Sequence, residues 1–145
     1  MYLEIDGKQV EAKASFKFER TAEKKYRDDK QEYSALEKIY QDLMAYKTGA
    51  LLKFWDCATS HHGKNQPSVE KIENALEEQI ENGDVEQLFK DAFRTIDESG
   101  FFRLQLREFW NNLDLIDRLA KNEEEKEQAK VAKEMYQSKR EQLLA

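Results

Sequence analysis

Between Tyr33 and Ala120 large apolar residues recur at three- and four-residue spacings with few breaks, and the only proline of the 145-residue chain stands at position 67. This pattern confines most of the chain to α-helix, because each repeat lays one stripe along a helix of 3.6 residues per turn. Leu36, Ile39, Tyr40, Leu43 and Met44 make one stripe, and Leu51, Phe54, Trp55 and Ala58 make the next. Val69, Ile72, Leu76 and Ile80 follow, then Val85, Leu88, Phe89, Ala92, Phe93 and Ile96. A last seam runs through Phe102, Leu106, Phe109, Leu113, Ile116 and Ala120, widened by Leu104, Trp110, Leu115 and Leu119.

The breaks between stripes carry the chemistry of helix ends. Lys47-Thr48-Gly49 interrupts the first two stripes, and SHHGKNQP, with Gly63 and Pro67, reads as a loop. Ser68 caps the helix that ends at Asn82-Gly83. Asp84 with Gln87 resembles a capping box for the next, which stops at Ser99-Gly100. Upstream the period is two: Leu3 and Ile5 lie on one side of Asp6-Gly7, and Val10, Ala12 and Ala14 on the other. This is a β-hairpin, turning on Asp6-Gly7 with Leu3 opposite Val10, or on Gly7-Lys8 with Ile5 opposite Val10. Either register leaves Leu3, Ile5, Val10 and Ala12 on one face. A short helix over FKFERTAEKKY, capped by Ser15, and a loop at RDDKQ complete the reading. The fold class is mainly α: an N-terminal β-hairpin, a bundle of about five to six helices and a long charged C-terminal helix.

With 39% apolar and 37% charged side chains, the chain has material for a modest core plus a solvated appendage. The sequence divides accordingly into a hairpin and helical core, residues 1–100, and an amphipathic helix with a charged tail, residues 101–145. Beyond Leu119 the tail KNEEEKEQAKVAKEMYQSKREQLLA holds six basic and six acidic residues, and only Ala129, Ala132, Tyr136 and Leu143 form a thin stripe. Such a tail is frayed or held by a partner. A net charge of −6 with interspersed signs argues against nucleic acid as a partner. No apolar run approaches a membrane span, so no membrane partner is expected. The single Cys57 and an opening MYLEIDGKQV without a signal-peptide pattern fit a reducing cytoplasm.

No catalytic, cofactor or metal site is expected. Cys57 and His61 are four residues apart, followed by His62, but no second ligand pair stands at a recognisable spacing. A Cys–His nucleophile pair lacks an orienting third group. Carboxylates such as Asp28-Asp29, Glu77-Glu78 and Glu123-Glu124-Glu125 read as solvated helix faces, and the five glycines sit at turns rather than in a phosphate loop.

SGFFRLQLREFW, residues 99–110, places six large apolar residues in twelve positions. Phe102, Leu106 and Phe109 have the spacing of core. Surplus positions such as Leu104, Trp110, Leu115 and Leu119 have the character of an association seam. The candidate surface for self-association or for a client helix comprises Leu51, Phe54, Trp55, Phe89, Phe93, Phe101, Phe102, Leu104, Leu106, Phe109, Trp110, Leu113, Leu115, Ile116, Leu119 and Tyr136.

The order EIDGKQVEAKASFKF, a helical body, HHGKNQPSVEKIENALEEQIENG and then DVEQLFKDAFRTIDESGFF resembles the tail assembly chaperones of long-tailed phages of Gram-positive bacteria, the lactococcal type in particular. The likeness covers about residues 1 to 102. It implies a non-enzymatic holdase that binds the apolar helices of the tape-measure protein in the host cytoplasm, assembles with itself, and is absent from the finished virion. A longer frameshifted form often accompanies such proteins. A client surface of this kind would take a helix in a groove, and a C-terminal helix docked on a neighbouring copy would build an open array. On that view, residues 101–145 can be removed to leave a folded monomer. A self-assembling helical scaffold or regulator without affinity for the tape measure shares the same composition, and a small metalloenzyme is the remote third reading.

Overall fold

In a computed structural model that describes residues 1–145, turn chemistry decides how the chain begins. Strands β1 (Tyr2–Ile5) and β2 (Lys8–Glu11) pair antiparallel with Leu3 opposite Val10 and Ile5 opposite Lys8. The turn therefore falls on Asp6-Gly7, whose φ angles of +52° and +75° are both left-handed. Two-residue hairpin turns of this hand match the strand twist, and Asp and Gly enter that region at lower cost than Lys8 would. Leu3, Ile5 and Ala12 are buried by the register, with Val10 half-buried beside them. The hairpin's apolar face lies against the helices.

Six helices form the body. Ser15 Oγ accepts the Phe18 N–H at 3.2 Å and starts α1 (Phe16–Tyr26), which buries Phe18 and Ala22. Ser34 caps α2 (Ala35–Met44) in the same way through Glu37 N–H at 3.1 Å. Then come α3 (Thr48–Ala58), α4 (Val69–Asn82), α5 (Val85–Asp97) and α6 (Arg103–Arg118). Ser68 and Asp84 cap α4 and α5 as their sequence positions require. The break before α3 turns on Tyr46, whose φ is +55°, and Gly49 lies inside the helix. A left-handed tyrosine is strained, and packing holds it there: its ring meets Phe89 edge-on at 5.3 Å and the Lys139 ammonium sits 4.7 Å from its centroid.

SHHGKNQP differs from its expected loop form. Ser60–Asn65 is a 3-10 turn, because Ser60 Oγ donates to Cys57 O at 2.6 Å and His61 Nδ1 to Ala58 O at 3.0 Å, holding the backbone against the end of α3. Gly63, at φ +59° and ψ −120°, kinks it in the middle.

The last helix, α7 (Glu123–Leu144), is the expected long charged C-terminal helix, and where the tail was expected to be frayed or held by a partner it folds back on α6 of the same chain. Its start carries a signal overlooked in the sequence: Asn122 Oδ1 accepts from Glu125 N at 2.8 Å, while Glu125 Oε2 accepts from Lys121 N at 2.7 Å. One continuous core takes in Phe18, Tyr40, Phe54, Trp55, Phe89, Phe93, Phe102, Leu106, Phe109 and Leu143. Residue 100 is thus no boundary between separate cores. No helix is long and apolar enough to cross a membrane.

Candidate interaction surface

Burial sorts the sixteen candidate surface residues into three sets. Leu51, Phe54, Trp55, Phe89, Phe93, Phe102, Leu106 and Phe109 are at most 5% exposed, so they are core and not surface. The sequence could not separate them, because a core stripe and a binding stripe have the same helical period. Trp110, Leu113 and Tyr136 are half-buried where α7 meets the body. Phe101, Leu104, Leu115, Ile116 and Leu119 remain exposed, Leu104 and Leu119 by two thirds.

The exposed set follows from the geometry of α6. Leu104, Leu115 and its C-cap Leu119 are eleven and four residues apart, close to three turns and one, so they lie along one outward face. Phe102, Leu106, Phe109 and Leu113 occupy the inward side. At the N-terminal end of the outward face Phe101 meets Phe16 edge-on at 4.7 Å, and Phe16 is itself two-thirds exposed. At the other end, between Phe109 and Leu143, no residue is buried. The distal half of the α6–α7 hairpin therefore projects from the core with Leu115, Ile116 and Leu119 bare and Val131 exposed on α7. Apolar residues left uncovered this way make this face the candidate interaction surface.

The proximal half of α7 is seated by a polar cluster absent from the sequence-based reading. Asp97, at the end of α5, has a nearly inaccessible side chain and takes two bonds from Arg140 of α7, Nε to Oδ1 at 3.0 Å and Nη2 to Oδ2 at 3.2 Å. It also accepts the Tyr40 hydroxyl proton, and that hydroxyl accepts the Trp110 indole N–H at 3.1 Å. Tyr40 stacks on Phe93 at 4.7 Å, and the Arg140 guanidinium lies 5.4 Å from the Trp110 ring. Burial, then the Asp97 carboxylate, pushes the Tyr40 hydroxyl above its ordinary 10.0. The Asp97 bonds hold Arg140 more firmly protonated. Four helices thus converge on one carboxylate. No sequence signal pairs Asp97 with Arg140, 43 positions away.

A second buried carboxylate, Asp56 of α3, ties α1 to the 3-10 turn. It accepts from Lys25 Nζ at 2.8 Å and Tyr26 Oη at 2.6 Å, and Gln66 Nε2 donates to its backbone carbonyl at 2.9 Å. Next to it Cys57 is fully buried, and burial, reinforced by the Asp56 charge, pushes its thiol far up, away from the reactive thiolate. The His61 and His62 rings lie 3.9 Å apart, tilted by 39°, and bond backbone carbonyls, His62 Nε2 to Glu11 O at 2.9 Å. No three His, Cys, Asp or Glu side chains converge as metal ligands would.

The fold and surface define a class, a small, mainly helical protein with a charged exterior and a few apolar side chains left exposed along α6. A family model described as phage tail assembly chaperone protein, TAC, matches residues 2–111. The chain belongs to the phage tail assembly chaperone family. The match runs from the hairpin into α6 and stops before the projecting half of the α6–α7 hairpin. No curated protein and no solved structure gives a significant match.

Proposed function

We propose that this chaperone binds and solubilises the apolar helices of the tape-measure protein during tail morphogenesis, acting as an oligomer and without catalysis. The outward apolar face of α6, Leu104, Leu115 and Leu119, with Ile116 exposed beside its distal end, is the observation that carries the reading. It is long enough to take a client helix lengthwise, and it lies on a molecule of net charge −6 whose repulsion keeps a coated client dispersed. Many weak contacts along one long client then add up. The setting is the cytoplasm of a Gram-positive host of a lactococcal-type siphophage, and the protein leaves before the virion is complete.

Co-expression with the tape-measure protein tests this directly. The full chain is expected to keep the client in the supernatant and to co-purify with it. A chain with Leu104, Leu115, Ile116 and Leu119 each changed to Ser should retain its helical circular dichroism and lose the client. Equal solubilisation by both chains would remove the α6 face from the mechanism.

A further inference from the structure

We propose that α7 is exchangeable: the α6–α7 hairpin opens at residues 119–122 into one continuous helix, and α7 docks on the body of a second copy of this chain. The inference deepens the oligomeric part of the proposed function and rests on it, but not on the client. Three observations point to it.

The connection between α6 and α7 is Leu119-Ala120-Lys121-Asn122, with neither glycine nor proline. Leu, Ala and Lys are strong helix formers, and Leu119 already has helical φ and ψ of −87° and −3°. Only Asn122, at φ −144° and ψ 173°, is known to be extended. A helical hairpin normally marks its turn with residues that cannot continue the helix. Here only Asn122 marks it, a cap residue that a helix interior tolerates at a fraction of the cost of proline, so residues 103–144 can form a single helix of roughly 60 Å.

The second observation is where α7 is held. Its anchors are Arg140 on Asp97, Leu143 in the core and the Arg94 guanidinium on Leu144 O at 2.9 Å, all made with the body and far from the turn. A second copy's α7 supplies the same groups to the same groove without loss. The groove's complement is already known, since it is this chain's own helix. Domain swapping is cheap for this reason.

The third is the bare apolar residues beside the hinge. Leu115, Ile116 and Leu119 are largely exposed with the hairpin closed. In the exchanged form the long helices of two copies run antiparallel through this region, extending the contact over the former turn. Lys133, which pairs with Asp114 in the closed hairpin, then meets Asp114 of the second copy.

That pair reports on the exchange. Asp114→Cys with Lys133→Cys, in the full chain, is oxidised at concentrations where light scattering detects oligomers, with the parent carrying only the buried Cys57 as control. Exchange gives disulfide-linked dimers on a non-reducing gel, hybrids when tagged and untagged copies are mixed before oxidation, and a shift to intramolecular disulfide on dilution. Lys121→Pro, which forbids the continuous helix and gives up only the exposed Lys121 N–H bond to Glu125, should give a monomer whose helical circular dichroism is close to native. Oligomers whose disulfides are all intramolecular would overturn the exchange and place assembly on another surface. A full chain monomeric at every concentration would overturn both the exchange and the oligomeric part of the function, leaving client binding to the co-expression experiment.

Discussion

Arg140 lays its guanidinium along the Asp97 carboxylate, at 3.0 and 3.2 Å, and in doing so fastens the last helix of the chain to α5. Arg140→Met keeps much of the stem's packing and removes both bonds, leaving Asp97 with the Tyr40 hydroxyl. The expected cost is about 1–3 kcal/mol, the range for stranding a buried acceptor. Amide hydrogen exchange should show α7 losing protection before α3. Arg140→Lys should not restore it, since an ammonium cannot match the paired geometry.

Phe109→Ala should destabilise by about 3–5 kcal/mol, because Phe109 is 5% exposed and its ring contacts Tyr40, Trp110 and Tyr136. Leu119→Ser, ten residues on along the same apolar stretch, should change stability by no more than about 0.5 kcal/mol. Urea unfolding of the two variants checks the division of SGFFRLQLREFW and its continuation into core and surface. Equal losses would mean that both faces are buried.

Removing residues 101–145 should abolish cooperative folding rather than leave a stable monomer. Phe102, Leu106, Phe109 and Leu143 all belong to the common core, and Phe18 and Tyr40 lose ring partners when they go. Calorimetry of the truncated chain is the check, and a sharp unfolding transition would contradict it.

Gly7→Val should cost about 1 kcal/mol or more, since φ is +75° there and a β-branched residue resists the left-handed region. Nothing crowds the site, so the loss is conformational. It should appear as lower thermal stability with the helical circular dichroism spectrum unchanged.

Stability should decline at both ends of the pH scale, for separate reasons. Burial first, then Asp97 for Tyr40 and Asp56 for Tyr26, raises both hydroxyls above 10.0. The unfolded chain therefore loses those protons first, and stability present below pH 10 falls as pH rises beyond it. Burial, aided by the neighbouring His62, lowers His61 below 6.5. The unfolded chain takes up that proton first, so stability falls as pH drops through 6.5. His61→Gln should flatten the acid limb and Tyr26→Phe the alkaline one, in thermal melts across pH.

The sequence by itself determined the elements. Ser15, Ser68 and Asp84 cap helices through local bonds, so short-range chemistry suffices there, whereas the sequence left two hairpin registers open and the structure takes the one that turns on Asp6-Gly7. Apolar periodicity likewise marked α2 to α6. The same periodicity could not say which stripes are core, because Phe89 and Leu115 differ only in what lies opposite them. Nor could it bring Arg140 to Asp97 or dock a tail with so thin a stripe. Those are contacts between residues far apart in the chain. Only the packing of α2, α5, α6 and α7 around one buried carboxylate decided them, and with them which apolar residues are left for a partner.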